Sequence, residues 1–227
     1  MMYDNPAPAD VPFQNVPEGS SSSGYVDKLI LFLEKYLPDF TRERSVTKSQ
    51  NENDLTEQLY LHLTWKTKFN VENVQYDYVF QPEKPQKKSD QKGHSKRMDI
   101  AARLNTIDAN LEVIYCLEAK KLPTPGSGRE KEYVCGKGGA IDRFKNELHG
   151  LDDAGNLIEN NGIIAYVTEQ NLSYWLIQTN QWVSDAGWGD LEKLTMNYFS
   201  DIGKLTSKHQ RISGAPLNLT HFWIQIK

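Results

Sequence analysis

Cysteine is almost missing from this chain: its 227 residues contain two, Cys116 and Cys135. They form no C-x-x-C pair and no disulfide framework, which leaves out a structural zinc site and a disulfide-stapled secreted fold. No apolar run approaches the roughly 20 residues needed to cross a bilayer, and the N-terminus lacks the basic-then-apolar order of a secretory signal. A cytoplasmic protein without a membrane partner is expected. The five histidines, His62, His94, His149, His209 and His221, never fall at the i, i+4 spacing of a metal helix, and no serine lies in a G-x-S-x-G elbow. Zinc and serine hydrolysis therefore have no support. Gly136, Gly138 and Gly139 lack the lysine and hydroxyl residue that complete a nucleotide-binding phosphate loop, and read as a flexible turn.

Positive charge is also in deficit, with 26 Lys and Arg against 30 Asp and Glu and a net charge of -4. Such a chain does not coat nucleic acid by bulk charge. The basic residues are unevenly placed, however. Lys84, Lys87, Lys88, Lys92, Lys96 and Arg97 lie between Gln81 and Arg97 against only Glu83 and Asp90. This Lys-, Gln-, Pro- and Ser-rich stretch reads as a mobile loop. It is either a solvated charged loop or a cationic flap that steers a phosphate backbone, with Lys96 and Arg97 as substrate contacts.

The composition, 38% hydrophobic and 25% charged, suits one domain over residues 25–227 after a disordered leader, 1–24, that holds four of the ten prolines and a serine run. Val26, Leu29, Ile30, Leu33 and Leu37 recur at helical spacing until Pro38 ends the pattern. A second helix, 52–66, carries Leu55, Leu59 and Leu63 on one face. Alternating Val74, Tyr76, Tyr78 and Phe80 predict a half-buried strand, and 99–104 and 111–120 predict the next two, joined as a hairpin. A helix over 139–148 and an apolar strand over 162–167 follow. Residues 172–182 suit a helix, although 175–178 also suit a strand. Phe222, Ile224 and Ile226 alternate as in an edge strand. This order predicts an α/β sandwich, a mixed β-sheet flanked by helices.

The chemistry concentrates where the apolar run from Leu111 ends in Glu118-Ala119-Lys120. The strand period of two puts Glu118 and Lys120 on one side, and the hairpin brings in Asp99. Two carboxylates suit a hard oxygen-seeking cation such as Mg²⁺, while the lysine orients or deprotonates a water or offsets charge on a phosphate. The plain alternative is a strand ending in charged residues because it meets solvent. On the second helix, at about 100° per residue, Glu52 lies in line with the leucine stripe, whereas Glu57 is turned about 140° away. Glu52 therefore faces the core and is the helix acid of choice, with Glu57 as fallback; the alternative for Glu52 is an acid favouring the helix N-terminus.

The sequence of Glu52, Asp99 and Glu118-Ala119-Lys120 resembles the PD-(D/E)XK nuclease superfamily over about residues 52–167, with Met98 in place of the name-giving proline. The resemblance implies a restriction endonuclease-like fold. It also implies that Asp99 and Glu118 bind Mg²⁺, or Mn²⁺ in its place, completed by Glu52, and that Lys120 assists the attacking water. Tyr133, 139–144 and 162–167 are similar to a pattern in restriction-like and defence nucleases. Arg143 is then a candidate phosphate clamp, the alternative being a surface pair with Glu147. His209, near Arg211, reads as a phosphate contact or as a lone loop histidine, structural or solvent-facing, and Trp175, Trp182, Trp188 and Trp223 as core fillers or base-stacking platforms. The expected function is a metal-dependent endonuclease acting on DNA, with a role in restriction or antiviral defence implied by resemblance, acting as a homodimer or with a partner of a defence system. The alternative is a non-catalytic nucleic-acid- or protein-binding module on the same fold.

Overall fold

The computed structural model describes residues 22–43, 45–70, 72, 74–87, 96–106, 111–136, 138–199 and 202–227. The segment Val113–Leu122 (β3) is buried at nearly every position, as a strand must be when layers cover both sheet faces. It pairs antiparallel with Lys96–Leu104 (β2), which pairs antiparallel with Tyr78–Gln86 (β1). On its other side β3 runs parallel to Asn160–Val167 (β4), which runs parallel to Pro216–Gln225 (β7). Thr195–Phe199 (β5) and Ile202–Gln210 (β6) complete a seven-stranded mixed sheet in the order β1-β2-β3-β4-β7-β6-β5. Ser22–Phe40 (α1) and Glu52–Lys68 (α2) cover one face, where Leu29, Leu33, Leu55 and Leu59 pack on Ile100, Leu117 and Phe222. Ala140–Lys145 (α3) and Leu172–Asp185 (α4) cover the other, packing Ile141, Phe144, Trp175 and Trp182 against Cys116, Ile163 and Trp223. The protein is thus an α/β sandwich around a mixed sheet. No helix among the described residues is long and apolar enough to cross a membrane.

Several elements depart from the sequence expectation. Helix α1 continues through Pro38 to Phe40, because Leu37 and Phe40 are fully buried and that packing offsets the missing N–H. The segment 81–97 is not one loop: β1 extends to Gln86 and β2 begins at Lys96, with Lys84 buried and donating to the carbonyls of Leu151 and Asp152. Lys88 and Lys92 lie outside the described residues, as do residues 1–21 of the expected leader. Residues 172–185 are helical, capped by Asn171, whose side chain accepts from the Tyr174 N–H. Helix α3 is only six residues long, since Glu147 takes φ 58° and turns the chain. Strands β5 and β6 have no counterpart in the prediction. The final strand is interior, because its backbone pairs with β4 along one edge and with β6 along the other; His221 and Trp223 are buried as well.

Candidate active site

The register that pairs Ile100 with Leu117 and Ala101 with Cys116 brings Asp99 level with Glu118. Asp99 Oδ2 accepts from the Ala119 N–H at 2.7 Å, so it is tied to the peptide between Glu118 and Lys120. Opposite Asp99 the partner strand is irregular: between the pairs Pro82–Ile100 and Lys84–Met98, Glu83 takes φ 47°, an uncommon backbone region for a residue with a side chain. Asp99 lies in a cleft of about 560 Å³ between α2 and the β1–β2 hairpin, lined also by Asn53, Thr56, Glu57, Tyr60 and Arg97.

Glu118 and Lys120 point to the same side, as the strand period requires, and they are 1% and 5% exposed. Lys120 Nζ lies 3.1 Å from Glu118 Oε1 and 3.2 Å from Glu52 Oε1. Glu52 is placed by its position at the first turn of α2, where Asn51 Oδ1 accepts from the Asp54 N–H; its Oε2 accepts from the Lys121 N–H at 2.8 Å. Arg143 of α3 donates to Glu118 Oε1 at 2.7 Å. His149 Nδ1 lies 3.1 Å from Glu118 Oε2, off the line a hydrogen bond needs, so neither atom has a hydrogen-bond partner among the described residues.

These contacts set the charges. Burial, reinforced by the Glu118 carboxylate, pushes the Asp99 carboxyl up to about 8 against the opposing pull of Lys120 and the Ala119 N–H. Glu118 is even more deeply buried, which favours its neutral form, yet Lys120, His149 and Arg143 together hold it down at about 2. For Lys120, burial favours the neutral amine, but Glu118, Glu52 and Asp99 outweigh it and raise the ammonium above its ordinary value. The centre therefore contains an ionised Glu118, a firmly protonated Lys120 and an Asp99 that holds its proton near neutrality.

The structure gathers Glu52, Asp99, Glu118, Lys120 and Arg143 from α2, β2, β3 and α3. Lys120 does not face open solvent, as its place near a strand end suggested; it is buried against Glu52 of α2 and Glu118. Arg143 pairs with Glu118. Glu57 is exposed at the cleft rim. Lys96 is exposed at the start of β2, and Arg97 pairs with Glu83 at the same cleft. His149 is the contributor that sequence reasoning missed: nothing in its spacing connects it to Glu118, and a tight turn after α3 delivers it. Trp175, Trp182 and Trp223 are core residues, Trp188 is partly buried against the same core, and His209 lies buried in strand β6 instead of a loop. Among the described residues, no three His, Cys, Asp or Glu side chains converge into a ready-made metal cage. No family model, curated protein or solved structure matches the chain.

Proposed function

We propose that this chain is a divalent-metal-dependent endonuclease of the PD-(D/E)XK kind, with a restriction endonuclease-like sandwich, that hydrolyses phosphodiester bonds in DNA. The observation that carries the reading is the placement of Asp99 and Glu118 at facing positions of β2 and β3, with Lys120 joining Glu118 to the helix glutamate Glu52. Asp99 and Glu118 fit a hard cation of the Mg²⁺ type, with Mn²⁺ as substitute. A cation beside Asp99 relieves the cost of ionising it, and Glu118 Oε2, which faces His149 Nδ1 at 3.1 Å without an aligned hydrogen bond, is the Glu118 oxygen not taken by Lys120 and Arg143. Two carboxylates suffice for Mg²⁺, which keeps waters and substrate phosphate oxygens as its other ligands. When bound, the metal supplies Lewis-acid activation of water and of the phosphoryl group. Glu52 has both oxygens engaged by Lys120 and the Lys121 N–H, so its part is to hold Lys120 in place more than to ligate.

Lys120 remains an ammonium in this environment. Its contribution is to donate a hydrogen bond to the attacking water and to offset charge on the phosphate, not to remove a proton. Arg143, one-quarter exposed at its side chain, fixes the Glu118 carboxylate and presents a second cation to a phosphate. The test is nicking of supercoiled plasmid with Mg²⁺ or Mn²⁺ by purified protein and by Asp99→Asn, which keeps the shape of the side chain. Metal-dependent nicking lost in the variant supports the reading, and equal background nicking by both overturns it.

A second reading, a binding module on the same fold, is favoured by one observation: Glu118 is already compensated by Lys120 and Arg143 without any metal. A metal site raises the melting temperature with Mg²⁺, Mn²⁺ or Ca²⁺, an effect lost in Glu118→Gln. A metal-indifferent melt supports the module.

A further inference from the structure

Arg143 and His149 reach Glu118 from a segment that is not part of the sheet. The described residues of 133–149, all but 137, contain the six-residue α3 and turns on both sides, too little regular structure to fix the segment's own position. Buried polar groups of β6, β7 and their flanks hold it. At one end, Tyr133 Oη accepts from Trp223 Nε1 at 2.8 Å and lies 2.7 Å from His221 Nδ1. His221 Nε2 lies 2.8 Å from Ser207 Oγ, which lies 2.7 Å from His209 Nε2; His209 Nδ1 lies 2.7 Å from Glu192 Oε2. Glu192 pairs with Lys145, the last residue of α3, so the chain closes on the segment where it began. Arg211 adds hydrogen bonds to the carbonyls of Phe144 and His149.

The protons in this chain can be assigned in only one direction while both histidines are neutral. His209 donates from Nδ1 to the Glu192 carboxylate and accepts at Nε2 from the Ser207 hydroxyl. Ser207 accepts from His221 Nε2–H, and His221 Nδ1 accepts from the Tyr133 hydroxyl. A glutamate, a histidine and a serine in hydrogen-bonded series also look like a nucleophile with its base. Here the serine is 4% exposed and already accepts from His221, so it has no room for a substrate. A second proton on His209 turns the acceptor facing Ser207 into a donor. One on His221 leaves the Tyr133 hydroxyl proton without its acceptor. Either reversal costs a buried hydrogen bond and adds a buried charge.

We propose that the chain Glu192–His209–Ser207–His221–Tyr133 is an acid-sensitive latch that holds residues 133–149, and with them Arg143 and His149, on the Glu118 carboxylate. His209, Ser207 and His221 are positioning residues. The groups facing His209 are Glu192 from the turn before β5, Lys145 from α3, the Trp188 ring and Ser207. Those facing His221 are Tyr133, Ser207 and, through it, His209. Burial pushes the His209 imidazole down to about 4, against Glu192, and pushes His221 well below the ordinary histidine range, so both are neutral in the latched form. That the latch controls catalysis rests on the nuclease reading; that it holds the segment does not.

Hydrogen exchange followed by mass spectrometry, corrected for the intrinsic pH dependence of exchange, tests it. Each histidine that becomes protonated only on opening raises the opening constant by about tenfold per pH unit below about 6.5. Peptides within 133–149 are therefore expected to lose protection by at least about tenfold between pH 7 and pH 5 in the wild type, while α1 and α2 keep theirs. At pH 7, Ser207→Ala is expected to show the same local loss and Ser207→Thr, which keeps the hydroxyl, to show none. Protection of 133–149 that is insensitive to pH and to Ser207→Ala, or that is lost only together with α1 and α2, overturns the proposal. Should Ser207→Ala fail to fold, the wild-type pH series decides alone. Absence of metal-dependent nicking at any pH counts against the nuclease reading and leaves the exchange result to judge the latch.

Discussion

At the scale of single residues, the site is a balance of buried charges, and removing one member exposes another. Lys120→Ala leaves Glu118 ionised in a buried place with Arg143 as its remaining close full cation. A loss of roughly 3–5 kcal/mol is expected, measured by urea denaturation, together with loss of nicking. Asp99 behaves oppositely. Its carboxyl is raised to about 8 in the fold from an ordinary value of 3.8, so between those values the folded protein holds a proton that the unfolded chain has released. Stability from this group therefore falls as pH rises through that window. In EDTA, Asp99→Asn is expected to stabilise the protein at pH 8 by up to about 5 kcal/mol. The variant should also lose any stabilisation by Mn²⁺; a destabilised Asp99→Asn with metal response intact would remove Asp99 from the site.

At the scale of elements, short features position the chemistry. The Asn51 cap begins α2 at the residue before Glu52, and Asn51→Ala is expected to cost about 1 kcal/mol and to weaken the hold of Glu52 on Lys120. A melt and a nicking assay on the same variant check both. The turn into α3 depends on Gly139. A Cβ there would sit 2.6 Å from the Cys135 backbone, which no rotamer relieves. Gly139→Ala is expected to destabilise by roughly 2 kcal/mol or more and to displace Arg143, visible as lost protection of the amides around 143.

At the scale of the molecule, opposing titrations shape the pH profile. His209 and His221 are neutral in the fold below the pH at which the unfolded chain protonates them, so both raise stability as pH rises towards about 6.5, His209 from about 4 upwards. Asp99 lowers it across about the same window and on to about 8. Two protons against one give a net rise, then a fall, with a maximum expected near pH 6.5 in EDTA. Chemical denaturation as a function of pH measures this, and Asp99→Asn is expected to remove the decline above the maximum.

Much of the sandwich was legible in the sequence because burial writes a period into the chain. Leu55, Leu59 and Leu63 face the core at helical spacing, and the apolar run ending in Glu118 and Lys120 is a covered strand. The same periods placed Glu52 on the inward side of α2 and Glu118 beside Lys120. Strand β6 was not legible, because two of its buried positions are Ser207 and His209, polar groups that are stable inside only through partners on other elements. The interior place of β7 was likewise decided by pairing with β4 and β6, which no local pattern records. Arg143, His149 and His221 acquire their partners from residues 14 to 88 positions away in sequence. Local sequence determined which face each side chain presents; only the tertiary structure decided which charges meet, because the energy of a buried charge depends on neighbours that folding alone brings within reach.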